Sequence, residues 1–230
     1  MTTKQLQIHV DDAPVPAVSA LFDDPGPSRR PHALLFAHGA GADMNHAFMA
    51  GVTAAFVELG YAVLRFQYPF TELISQTGRR RPADRMPALE ATHLAAHNRL
   101  RELLPSSPQV LVGKSMGGRV ASHLVSRGLP GKALVFLGYP LHPADKPWKL
   151  RDEHFDQLFV PALFLQGTRD RLADLERLEK SLKSYADDAT LEIVQGANHG
   201  FQLPAARRMS PEEIHADLAG RIHRWIEAEL

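Results

Sequence analysis

The chain contains no cysteine. That absence excludes disulfide bonds, thiolate metal centres and a cysteine nucleophile together. Net charge is missing too: 26 Lys and Arg balance 26 Asp and Glu, with the 12 histidines counted as neutral. No global field therefore favours nucleic acid or an anionic membrane surface, and neither is expected as a partner. Long apolar runs are also absent. The densest, ALLFA (33–37) and ALVFL (133–137), fall far short of the roughly 18–20 residues that span a bilayer. The N-terminal stretch MTTKQLQIHVDDAPVP has no charged region followed by an apolar one. No secretory leader is read there, and a cytoplasmic location is expected.

What is present is a regular alternation. Short apolar or β-branched runs recur with helical segments between them, the pattern of βαβ units and a mostly parallel sheet covered by helices on both faces. The 230 residues suffice for a sizeable core, and without a repeat or low-complexity linker they predict a single α/β domain over 1–230. Strands are predicted at Leu6–Val10, Ala17–Phe22, Ala33–Ala37, Ala62–Phe66, Val110–Gly113, Ala133–Leu137, Ala162–Gln166 and Thr190–Val194. The first two are half-polar and separated by DDAPVP, which reads as an antiparallel hairpin at the sheet edge. Helical stripes run through Phe48, Met49, Val52, Ala55, Phe56 and Leu59, and through Leu175, Leu178, Leu182 and Tyr185. Ser210, Pro211 and Glu213 open the last helix with a capping box. The segments 67–82 and 138–149 read as irregular, and both leave strands at the carboxyl end, where parallel sheets bind ligands.

The stretch GKSMG, Gly113 to Gly117, lies between a strand and a helix. It is G-x-S-x-G in the setting of a nucleophile elbow, a tight turn that exposes the serine hydroxyl, with glycines where a Cβ would strike neighbouring backbone. The competing reading is a glycine-rich turn in which Ser115 merely caps the helix. A serine needs a base, and His199 in GANHGF follows the last strand and precedes the last helix. The base needs a carboxylate, and Asp170 follows the strand ALFLQ; Asp145, beyond the preceding strand, is the rival, and Asp174 falls in a helix. Oxyanion donors are expected from the main chain of Met116 and Ala40, with Gly39 or Gly41 as alternatives. His38 reads as a structural ring that fixes its loop.

In this order, AHGAGADM, VGKSMGGR, QGTRD and GANHGF resemble the α/β-hydrolase superfamily over essentially the whole chain. Within it, GKSMGGR, FQYPF, GRRRPADR and LGYPLHP are similar to a branch of predicted hydrolases that includes testis-expressed-protein and NSL-complex-subunit type domains. The resemblance implies an eight-stranded sheet with a Ser115, Asp170, His199 triad. It implies an esterase- or thioesterase-like hydrolase of a small acyl substrate, without a cofactor. Because some eukaryotic members of that branch serve as complex subunits, a binding or scaffold module of weak activity is the alternative. Only 138–161, enough for a loop and a short helix at 152–159, separate the strands where larger members carry a cap, so an open site with little or no cap is expected.

Arg79, Arg80 and Arg81 are candidate clamps for a carboxylate or phosphate, against a solvated basic loop pairing with Asp84. His142 and Trp148 are expected to line the opposite wall, with Tyr139 and Leu141 either lining or packing. Lys114 is expected to point to solvent. No metal site is expected, since His93 and His97 share a helix face with nothing nearby to complete one. The sequence does not disclose an oligomeric state.

Overall fold

The apolar runs form eight strands: β1 (Thr2–His9), β2 (Ala17–Asp24), β3 (Ala33–Ala37), β4 (Ala62–Phe66), β5 (Gln109–Lys114), β6 (Ala133–Leu137), β7 (Ala162–Gly167) and β8 (Ala189–Val194). Between and after them lie α1 (Ala47–Glu58), α2 (Pro69–Thr77), α3 (Met86–Leu103), α4 (Met116–Val125), α5 (Leu175–Leu182) and α6 (Pro211–Glu229). The computed structural model describes residues 2–205 and 209–230.

The strands form one sheet in the order β1-β2-β4-β3-β5-β6-β7-β8. β1 pairs antiparallel with β2, and β2 antiparallel with β4, so the predicted hairpin does sit at the edge. From β4 to β8 every pairing is parallel. Every residue of β3 to β7 is buried, which is why these strands read as continuous apolar runs.

Side-chain alternation divides the core in two. Val110 and Val112 of β5 face a cluster completed by Phe56 of α1 and Ile222 and Trp225 of α6. Leu111 points the other way, into a cluster with Leu89 and Ala96 of α3, Val120 of α4 and Leu178 of α5. The predicted capping box opens α6: Ser210 Oγ accepts from the Glu213 N–H, and the Glu213 carboxylate accepts from the Ser210 N–H. β4 lies on one side of β3 and β5 on the other, so the loops leaving β3 and β5 diverge to opposite faces. That divergence opens a crevice at the carboxyl ends, where α/β sheets place ligands.

Three local expectations are corrected. Residues 67–82 are not irregular throughout: Pro69 at the first helical turn and left-handed Gly78 at the C-cap bracket α2. Glu72 anchors it by accepting from the Ser19 N–H of β2 at 2.8 Å. The helix expected at 152–159 is only a 3₁₀ turn, Phe155–Gln157. Tyr185 lies beyond the end of α5, although its ring is buried and its hydroxyl donates to the Val160 carbonyl at 3.0 Å.

A buried ion pair ties the sheet to the loop after β3. The Arg65 guanidinium donates to the Asp23 carboxylate at 3.0 Å and to the Met44 carbonyl at 2.8 Å. Both side chains are shielded, so removing one leaves the other charge uncompensated. Arg65→Met is expected to cost about 3–5 kcal/mol in urea unfolding. A loss below about 1 kcal/mol would show that Asp23 finds another partner.

Candidate active site

Ser115 occupies the single residue between β5 and α4, with φ 51° and ψ −114°. A positive φ in a residue with a Cβ costs of order 1–3 kcal/mol, so the surroundings must impose it. The glycines show how. A Cβ on Gly113 would lie 2.1 Å from the Gly118 nitrogen, and one on Gly117 would lie 2.5 Å from the Ala37 carbonyl oxygen of β3. Strand and helix backbones meet there with no space for a side chain, and the turn between them is forced tight. Ser115 is therefore lifted above the sheet, and its side chain makes no cap hydrogen bond to α4. The reading of Ser115 as a simple helix cap does not hold.

The hydroxyl is directed at His199 instead. Ser115 Oγ lies 2.8 Å from His199 Nε2, and His199 Nδ1 lies 2.7 Å from Asp170 Oδ2. The Asp170 side chain is 1% exposed, and that of His199 29%. Asp170 is held by the Leu172 N–H on Oδ1 at 2.8 Å and by the Gln166 side-chain amide on Oδ2 at 2.6 Å. Sequence reasoning missed Gln166; its signal was a polar residue closing the otherwise apolar β7. The His199 loop is fixed by Asn198, whose Oδ1 accepts from the N–H groups of Gly200 and Gln202. Phe201, at φ 60°, stacks its ring on Phe48 at 5.8 Å.

Ser115 and His199 open into a cleft of about 340 Å³, walled by Gly39, Ala40, Gly41 and Ala42 on one side and by Phe48, Met49 and Leu172. Ala40 thus lines the same cleft as Ser115. The Met116 N–H belongs to the first turn of α4, where backbone donors have no intrahelical acceptor. His38 fixes the loop, as expected: its Nδ1–H donates to the Gly39 carbonyl at 2.8 Å and its Nε2 accepts from the Tyr68 N–H at 3.1 Å. Burial depresses its pKa to about 4, so the ring stays neutral.

Other expected residues lie elsewhere. Lys114 does not point to solvent: it is 9% exposed, and its Nζ lies 3.4 Å from His199 Nε2 in the cleft. Burial pushes its pKa down to about 8, partly opposed by the Asp170 charge. His142 is not available to a substrate, because Nδ1 donates to the Pro143 carbonyl and Nε2 accepts from the Asp174 N–H. Tyr139 and Leu141 are packed, whereas Trp148 is 71% exposed. Asp145 is exposed and Asp174 caps α5. Arg79, Arg80 and Arg81 are exposed; Arg81 pairs with Asp84 at 3.5 Å. Arg80 alone of the three lines a second groove, on the far side of Ala40, Gly41 and Ala42.

His93 and His97 are engaged separately, with the Tyr68 hydroxyl and the Pro130 carbonyl. Among the described residues, His123, Glu153 and His154 bring potential metal-ligating atoms within 4.8 Å of one another. The two imidazoles stack at 4.0 Å and 18°, so their lone pairs lie in parallel planes and do not converge. Burial, His123 and the guanidinium groups of Arg119 and Arg127 push the His154 pKa down to about 3.

A sheet of this order, with a serine on the strand-to-helix turn of β5 and a histidine after β8, defines an α/β-hydrolase fold. The alpha/beta hydrolase domain family model matches residues 30–227, and the chain belongs to that family. Several solved structures are similar over nearly their whole length. A dienelactone hydrolase from Anabaena variabilis is 20% identical with a TM-score of 0.72, covering 100% of both chains. An α/β serine hydrolase without lid from Xanthomonas campestris is 20% identical with a TM-score of 0.70, covering 98% of this chain and 95% of its own. An esterase from Pyrococcus furiosus is 14% identical with a TM-score of 0.76, covering 99% and 91%. At these identities the likeness is one of fold. Among the described residues, no helix is long and apolar enough to cross a membrane.

The tight elbow predicts that Gly117→Ala destabilises the fold by at least about 1–3 kcal/mol, through overpacking against rigid backbone. Gly41→Ala, with nothing within 4 Å of the added Cβ, is the control and is expected to be near neutral. Equal thermal midpoints for the two variants would refute the packing account.

Proposed function

We propose that the chain is a serine hydrolase that cleaves a small ester, thioester or related acyl bond through an acyl-enzyme. The observation that carries this reading is the continuous hydrogen-bonded series from Ser115 Oγ through His199 to Asp170, at 2.8 Å and 2.7 Å. Ser115 Oγ attacks the acyl carbonyl while His199 Nε2 takes its proton. Asp170, bonded to Nδ1–H, holds the ring in the tautomer whose Nε2 bears the lone pair, and it stabilises the imidazolium that forms. The N–H groups of Met116 and Ala40 receive the oxyanion. His199 then protonates the leaving group, and water reverses the sequence to release the acid and restore Ser115.

Every role falls to a side chain or main-chain amide of this chain, and the reading calls for no cofactor. The open cleft suits a small soluble acyl compound. The motifs GKSMGGR and LGYPLHP further support placing the chain in the predicted-hydrolase branch named above, with a cytoplasmic location. Arg80, next to the Ala40–Ala42 loop, is the arginine of its segment best placed to touch a substrate.

Hydrolysis of a short-chain ester tests the roles. Ser115→Ala is expected to lose up to the order of 10⁶ in kcat, and Asp170→Asn about 10⁴. Asp145→Asn is expected to act as wild type; if it proved the damaging change and Asp170→Asn the mild one, the acid would be misassigned.

A further inference from the structure

Lys114 is a buried cation that the mechanism above does not use. It ends β5, one residue before Ser115, and its ammonium lines the same cleft as the hydroxyl. Three groups face it: His199 Nε2 at 3.4 Å, the Phe201 ring at 5.7 Å from its centroid, and the Asp170 carboxylate. The carboxylate is engaged with His199, Gln166 and Leu172. Among the described residues, no carboxylate forms an ion pair with Lys114. Gly138, just after β6, also borders it: a Cβ there would lie 3.4 Å from Nζ, 3.4 Å from Asp170 Oδ2 and 3.5 Å from His199 Nδ1.

Such an ammonium is costly, because an ion removed from water needs a partner. Methionine would fill the same volume without that cost. The rest of the cleft is mostly apolar, with Phe48, Met49, Ala42 and Leu172, and among the described residues His46 is its one further titratable side chain besides His199. One cation in an apolar wall, facing the reacting groups, recognises one anionic group on an otherwise apolar ligand. Its distance from the chemistry is short: Nζ and Ser115 Oγ both contact His199 Nε2, at 3.4 Å and 2.8 Å. They can be no farther apart than those two distances laid end to end.

We propose that the site selects acyl substrates carrying a carboxylate one or two carbons from the scissile carbonyl, with Lys114 as the binding residue for that carboxylate. This rests on the hydrolase reading and names its substrate class. The charge also couples binding to reaction. An ammonium beside Nε2 opposes the imidazolium that forms when Ser115 gives up its proton. A substrate carboxylate neutralises the ammonium, so the anionic substrate relieves an opposition that a neutral ester leaves in place. The preference is present while Lys114 is protonated and is lost as pH rises through about 8.

The test compares monomethyl succinate with methyl isocaproate, its neutral isostere, by methanol release from the wild-type protein. The expected kcat/KM ratio favours monomethyl succinate by about tenfold or more at pH 7, equivalent to one ion pair gained in a shielded site. It falls toward unity above pH 8 and in Lys114→Met. Free succinate is expected to inhibit the wild type competitively and with the same pH dependence, a readout that stands even if Lys114→Met folds poorly. Equal turnover of the two esters, abolished by Ser115→Ala, overturns the charge selection and leaves the hydrolase reading standing. Turnover that survives Ser115→Ala overturns the reading on which both rest.

Discussion

The structure depends on one close approach, the N-terminal turn of α4 against β5 and β3. Gly113, Gly117 and Gly118 bring backbone to backbone there, with an added Cβ at the first two falling 2.1 Å and 2.5 Å from main-chain atoms. The chain cannot make that turn with relaxed dihedrals, so Ser115 takes a positive φ and its hydroxyl is carried out of the sheet. The strain is local and is met by the packing of α4, whose Val120 and Ala121 are buried in the core. Position and exposure of the Ser115 hydroxyl thus follow from sterics before any charge is considered.

Around that fixed point, the sheet supplies the remaining groups at matching height. β3 ends in the Gly39–Ala42 loop, β7 in Asp170 and β8 in the His199 loop, all at the carboxyl edge. Each is then braced from behind. His38 bonds the Gly39 carbonyl, Gln166 holds Asp170, and Asn198 folds the His199 loop on its own backbone. Rigid elements and supporting hydrogen bonds keep Ser115, His199 and Asp170 within bonding distance of one another. Lys114 breaks the local rule that buried ions are paired, and such breaks cluster where a protein meets its ligand.

The sheet was legible in the sequence because buried parallel strands announce themselves as apolar runs: β3, β4 and β6 end where the runs end. That Ser115, Asp170 and His199 come together was legible from their positions after successive strands, since the topology converts chain order into spatial proximity. What failed to show was depth. Lys114 follows an apolar strand and reads as exposed, yet β3 and β6 flank it on both sides and the His199 loop covers it. His142 looked like a site residue because its loop leaves β6 at the right end, but its two ring nitrogens are consumed by Pro143 and Asp174. α2 was hidden because FQYPF has a turn-like proline, and only Gly78 nine residues later marks it as a helix between two caps.

The central claim is that this elbow makes one serine into a nucleophile. Its most direct measurement is reaction of the folded protein with a fluorophosphonate, followed by intact mass and peptide mapping. A single adduct on Ser115, absent in His199→Ala, is the predicted result. A folded protein that takes up no adduct, or takes it up at another residue, would contradict the account.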